Sequence, residues 1–277
     1  MPRADSYANV PLSIAHLCEL DVAPAELIEY AASAGISSVG LRIAHASPGG
    51  IEYPLKSKAE RAEVRRRIET TGVSVLYIEL ISISEATRAA DYKTMFETGA
   101  ELGATRLTVA ADTTDISLVS DRFGQICELA NGYGINVDFE FMPFRAIRTL
   151  REAAEIVSQA GQPNGHILVD TLHMFRSGSL AGDLAKLDPA MIGTLQICDA
   201  PRVAPPPSDL VTEARTRRLM PGHGGLDLWS VIDALPADIM IGVEVPLASQ
   251  YPNLDPAQRL SVMVRETRRF LEQGKSA

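Results

Sequence analysis

Eight short runs of apolar and β-branched residues recur along the chain, over residues 10–14, 38–41, 73–78, 106–110, 135–139, 166–169, 192–197 and 239–243. Each is short enough for a strand and too continuously apolar to leave one face in water, which marks buried strands. Longer stretches with apolar residues at helical spacing lie between them, over 23–34, 57–71, 91–102 and 147–160. Each is followed at once by a glycine: Gly35, Gly72, Gly103 or Gly161. Glycine just past the last periodic residue is a left-handed helix stop. A strand–helix unit repeated in this way predicts a parallel sheet covered by helices. With eight strands in 277 residues it predicts an α/β fold, a single (β/α)8 barrel domain over 1–277. The competing doubly wound open sheet favours a glycine-rich turn after the first strand, but Ile14 is followed by Ala15, His16, Leu17 and Cys18. One long segment, 199–225, carries Ala204-Pro205-Pro206-Pro207 and reads as an irregular loop, too proline-rich for a helix at its start. A long loop of this kind in a barrel usually covers the active site.

Barrel enzymes place their working groups at the C-terminal ends of strands. Strand five ends in Phe139-Glu140-Phe141, strand six in Leu168-Val169-Asp170, strand seven in Leu195-Gln196-Ile197-Cys198-Asp199 and strand eight in Gly242-Val243-Glu244. A carboxylate among buried neighbours is costly unless it is paired, protonated or bound to a cation. The acids either pair with barrel arginines such as Arg42, Arg145, Arg176 or Arg218, or they converge with the Gln196 amide on a divalent metal. Polar donors on four consecutive strands favour the metal site. In the first half of the chain His16, Arg42, His45 and Glu79 also fall at strand ends and are expected to face the mouth. The alternative for Arg42 and Glu79 is a buried pair that closes the barrel end. Residues 46–54, Ala46-Ser47-Pro48-Gly49-Gly50-Ile51-Glu52-Tyr53-Pro54, read as a mobile loop over the substrate. Arg218 precedes Leu219-Met220-Pro221-Gly222-His223-Gly224, where glycines let backbone approach a ligand and the arginine fork can hold an anionic group. Arg215 and Arg217 read as solvated charges.

The same residues carry a family resemblance. Glu140 in VDFEFMPF, Asp170 with His173 in LVDTLHMFRSG, Gln196 with Asp199 in LQICDAP, the loop RLMPGHGGLDL and Glu244 in IGVEVPL resemble the xylose isomerase-like TIM barrels, the sugar phosphate isomerases/epimerases. The resemblance covers nearly the whole chain and is most specific from Gly134 to Pro246. It implies metal ligands at Glu140, Asp170, Gln196 and Glu244, and a catalytic or substrate-facing His173. Sugar epimerases usually place His where this chain has Gln196, and glutamine there is similar to bacterial 3-dehydroshikimate dehydratases. An all-oxygen donor set favours one Mg2+ or Mn2+ over Zn2+ or Co2+. Relatives read PGEG where this chain has His223, whose neutral imidazole can accept the same hydrogen bond.

The expected reaction is isomerisation or epimerisation of a small keto-sugar or cyclic polyhydroxy ketone through a metal-stabilised enediolate, with Glu140 and Glu244 as bases. If a β-hydroxyl leaves instead, the same enolate gives a dehydratase or lyase of the 3-dehydroshikimate or keto-inositol type, with His173 as acid or base. Arg218, His223, Glu79, Arg42 and His45 are the expected substrate contacts. Composition narrows the remaining classes. At 46% hydrophobic and 22% charged residues the chain can bury a sizeable core, and net charge −9 without a basic run leaves no footprint for nucleic acid or anionic lipid. The AP endonucleases that share this barrel need several zinc ions, many histidines and a basic face, against five histidines here. A non-catalytic sugar-binding barrel is the other remaining class. Cys18, Cys127 and Cys198 form no CxxC pair and are expected as buried thiols. No apolar stretch approaches a membrane span, and the start Met1-Pro2-Arg3-Ala4-Asp5 turns polar early, so a cytoplasmic protein is expected. The resemblance makes a homodimer or homotetramer plausible.

Overall fold

The computed structural model describes residues 10–46 and 49–274. The polar start at 1–5, and Ser47 and Pro48 of the 46–54 loop, lie outside the described residues. The strands are β1 (Leu12–Ile14), β2 (Ser38–Arg42), β3 (Ser74–Ile83), β4 (Arg106–Ala111), β5 (Asn136–Glu140), β6 (Gly165–Asp170), β7 (Ile192–Ile197) and β8 (Met240–Val243). They pair parallel in chain order, and β1 closes on β8 with Leu12 opposite Ile241 and Ile14 opposite Val243. This is the closed (β/α)8 barrel that the alternation predicts.

Around it lie α1 (Pro24–Ser33), α2 (Lys58–Thr71), α3 (Lys93–Glu101), α4 (Ile116–Asn131), α5 (Leu150–Ala160), α6 (Thr171–Arg176), α7 (Ala181–Leu184), α8 (Leu210–Thr216), α9 (Leu228–Ala234) and α10 (Pro256–Gln273). Helices α2 and α5 show why the sequence stops and starts where it does. Ser57 with Glu60, and Thr149 with Glu152, form reciprocal capping boxes, while Gly72 and Gly161 end the helices at φ +75° and +60°. In α5 the buried residues are Leu150, Ala153, Ile156 and Val157, a single stripe at helical spacing that packs against the outward faces of the strands. All three cysteines are buried and free. Among the described residues no helix is long and apolar enough to cross a membrane.

Two elements differ from the sequence reading. Strand β3 runs on past Ile78 to Ile83. Glu79 interrupts its apolar run but is buried against Arg42, so the strand does not end there. Segment 199–225 is not irregular throughout, because a single turn at Pro207–Asp209 leads into α8. Residues 199–206 are non-helical, as the proline run predicts; only Pro207 enters the turn, at its first position, where the missing N–H costs nothing.

Side chains two apart on a strand share a face. On the inward face Arg106, Asp138 and Thr194 form a floor: Arg106 Nε donates to Asp138 Oδ2 at 2.6 Å and Thr194 Oγ1 to the same oxygen at 2.8 Å. Gly193 leaves room for this cluster, since a Cβ there would meet Asp138 Oδ1 at 2.1 Å. Two residues further along each strand come Thr108, Glu140 and Gln196, which line the mouth.

Candidate functional site

Strand ends place the second-half donors side by side. Glu140 ends β5, Asp170 ends β6 opposite Gln196 of β7, and Gln196 lies opposite Gly242, two residues before Glu244. All four side chains are buried. Asp170 serves two partners. One oxygen accepts the His173 N–H at 3.0 Å and so caps α6, while the other meets Arg218 Nη1 at 2.5 Å. Burial pushes the Asp170 carboxyl up, but Arg218 and then His173 outweigh it and hold it at about 2. Arg218 Nη2 reaches Glu244 Oε2 at 2.8 Å and Nε donates to Ala214 O at 2.7 Å, so all three guanidinium nitrogens have protein partners.

One guanidinium does not balance three acids. Burial lifts Glu244 to about 8 despite Arg218, with Asp170 and Glu79 adding to the lift. Glu140 is pushed well above the usual carboxylate range by burial, then by Glu244 and Asp170. His173 is lowered to about 4 by burial, so its imidazole is neutral near pH 7. Its Nε2 lies 3.7 Å from Glu140 Oε1, its Nδ1 has no hydrogen-bond partner, and Phe144 meets the ring edge-on at 5.4 Å. Ligand atoms of Glu140, Asp170 and His173 all lie within 4.8 Å of one another. Gln196 Oε1 is buried and also without a partner. Carboxyls raised by burial and by one another, beside an orphaned amide oxygen, fit a divalent cation, which would replace the protons and satisfy the oxygen.

The opposite side of the mouth is closed on itself. His16 Nδ1 accepts the Arg42 N–H at 2.8 Å, and its Nε2 donates to Val22 O at 2.9 Å, which fixes a neutral tautomer. Its ring stacks on Tyr53. Glu79 accepts the His16 N–H at 3.2 Å and the Arg42 Nε at 2.9 Å. The buried pair weighed as the alternative is therefore what the structure holds, although both side chains still line the recess. Arg145 ties the end of β3 to two loops here, donating to Ser82 Oγ and Asp112 Oδ1 at 2.8 Å and to Ala46 O.

Two expected substrate contacts stand apart. His45 is half-exposed against Glu52, 2.9 Å away, and His223 faces Glu266 of α10 at 3.2 Å; neither lines the recess. The reason for His223 lies in its loop. Buried Asp199 accepts four backbone N–H groups, from Gly222 and Gly224 on one oxygen and from Ala200 and Leu226 on the other, at 2.8–3.1 Å. A Cβ on Gly224 would meet Asp199 Oδ1 at 2.3 Å. The loop glycines make room for this carboxylate and not for a ligand, and the wrap turns His223 outward. Leu219, next to Arg218, exchanges both backbone hydrogen bonds with Asp199 at 2.8 Å, so the same loop delivers the guanidinium to the mouth.

The recess, about 60 Å³, opens into a chamber of about 320 Å³ that shares Leu17, Arg42, Ala46 and Arg215 with it. Arg215, read as a solvated charge, stands at that junction. Tyr77, inside the third apolar run, is not among the expected site residues, and it is buried with its hydroxyl against Gln196 Nε2. Its place on the inward face of β3, two residues before Glu79, was the available signal.

A family model described as xylose isomerase-like TIM barrel matches residues 28–270. The chain is similar to a 3-dehydroshikimate dehydratase of Pseudomonas aeruginosa, 32% identical over 139 residues, which are 48% of this chain and 21% of that protein. It is also similar to an inosose isomerase of Halalkalibacterium halodurans, 27% identical over 155 residues, 52% of this chain and 53% of that protein. The matches thus span about a fifth and about half of these relatives. Among solved structures, that of the IolI protein with a bound zinc atom superposes with a TM-score of 0.81 at 18% identity, covering 97% of this chain and 100% of that one, a likeness of fold.

Proposed function

This chain belongs to the xylose isomerase-like TIM barrel family, and within it we propose a divalent-cation-dependent isomerase or epimerase of a small keto-sugar or cyclic polyhydroxy ketone. The observation that carries the reading is the charge deficit at the ends of β5–β8: three buried carboxyls, one guanidinium and an unpartnered amide oxygen. Glu140, Asp170, Gln196 and Glu244 would hold the cation, and four oxygen donors favour Mg2+ or Mn2+. Bound there, the cation supplies Lewis acidity that polarises a ketone oxygen and makes the neighbouring C–H more acidic.

The chain's own groups do the rest. Glu140 and Glu244 project from strands β5 and β8, so one can take a proton from carbon while the other returns one to the opposite face. Arg218, held by Asp170, Glu244 and Ala214, fixes the Glu244 carboxyl in place. His173 lines the recess, where its imidazole can meet a substrate hydroxyl. The inosose isomerase likeness supports the class.

A second reading, loss of a β-hydroxyl after the same proton abstraction, is favoured by Gln196 and by the neutral, buried His173, which can take up the abstracted proton from Glu140, 3.7 Å away, and pass it to the departing oxygen. The dehydratase likeness supports it. Elemental analysis and Mn2+ titration of wild type beside Glu244→Gln test the site. About one cation per chain, bound more weakly by the variant, is expected. Incubation in deuterated water with keto-sugars, inosose and 3-dehydroshikimate then separates the reactions: deuterium gain without elimination marks an isomerase, and enone absorbance marks a dehydratase. No saturable cation, or several zinc ions per chain, overturns the proposal.

A further inference from the structure

We infer that Tyr77 is a positioning residue that fixes which end of the Gln196 amide faces the cation, and that Gly40 exists to admit its ring. This rests on the reading of Gln196 as a cation ligand. Tyr77 is buried on the inward face of β3, four strands around the barrel from β7, so a contact between them crosses the barrel interior. The tyrosine is long enough to make it, and Gln196 Nε2 donates to Tyr77 Oη at 3.2 Å.

The ring needs space to take this path. Gly40 is the direct partner of Tyr77 across β2 and β3, at the point where the register shifts between Val39 and Gly40. A Cβ on Gly40 would meet Tyr77 Cε2 at 2.2 Å and Cζ at 2.4 Å. Irregularities of this kind re-aim side chains beside active sites. With the amide nitrogen engaged by the phenol, the buried oxygen is left without a protein partner. An unmet carbonyl is costly in a closed protein, and a bound cation completes it.

Mn2+ affinity measured by calorimetry tests the role on wild type, Tyr77→Phe, Gly40→Ala, Gln196→Ala and the Tyr77→Phe/Gln196→Ala double variant, each checked for folding by circular dichroism and urea titration. Partners that orient a metal ligand are typically worth about 10–100-fold in affinity, which is the expected loss for Tyr77→Phe. Gly40→Ala touches no ligand and is expected to fall in the same range. In the Gln196→Ala background, Tyr77→Phe should cost less than about twofold, because the amide it orients is gone. Wild-type affinity in Tyr77→Phe, or an equal loss with and without Gln196, overturns the role and leaves Tyr77 as packing. If Gly40→Ala does not fold, the Tyr77–Gln196 cycle decides alone. Absence of saturable Mn2+ binding in wild type overturns the cation site itself and this role with it.

Discussion

On the β1–β3 side of the mouth each charge has its own answer, with Arg42 matched to Glu79 and His16 kept neutral by burial, its Nδ1 accepting the Arg42 N–H. On the β5–β8 side Asp170 and Glu244 share Arg218, Glu140 has no cation of its own, and burial with mutual repulsion raises both glutamates. Both sides bring arginine, glutamate and histidine to the mouth. What separates them is charge balance: the first side is paired within itself, and the second carries the deficit on which the proposed cation site rests.

Removing one arginine from each side should give the largest effects and the sharpest contrast. Arg218→Met leaves Asp170 and Glu244 buried without their cation, and Arg42→Met does the same to Glu79. Each is expected to cost the metal-free protein about 3–5 kcal/mol in urea unfolding. Saturating Mn2+ should recover stability in Arg218→Met beyond the gain it gives wild type, since it supplies charge where charge is missing. In Arg42→Met the gain should match wild type. Equal recovery in both would break the comparison.

A smaller effect follows from Glu244. Its carboxyl is raised from 4.5 to about 8 in the folded chain, so its contribution to stability is fully present below about pH 4.5 and is lost as pH rises through 8. The metal-free protein should therefore lose stability across that window, and Glu244→Gln should flatten this part of the slope. Mn2+ has to displace the proton, so binding near pH 7 should release protons to an indicator dye and tighten as pH rises toward 8. Proton-neutral binding would remove the distinction between the two sides. The smallest effects are expected outside the mouth: His45→Ala and His223→Ala should leave Mn2+ affinity and any turnover within about twofold of wild type, as surface substitutions usually do.

The fold was legible because each strand is a short apolar run and each early helix ends on glycine, signals that lie within a few residues. The four buried polar residues at the ends of β5–β8 were legible because each interrupts or ends such a run. What escaped depended on partners distant in the chain. The glycines at 222 and 224 look alike in sequence whether they face a ligand or a carboxylate, and only the fold shows Asp199, 23 residues before Gly222, inside their loop. Glu79 looked like a strand end because Arg42, 37 residues away, is what lets the strand continue. Tyr77 and Gln196 are 119 residues apart and meet only when the barrel closes.

The floor made by Arg106, Asp138 and Thr194 has a consequence for traffic. The far end of the barrel is filled by side chains that grip one another, so a molecule in the recess shares a single doorway with the next one arriving. Departure and entry then exclude each other, and whatever leaves is also a competitor for the place it vacates.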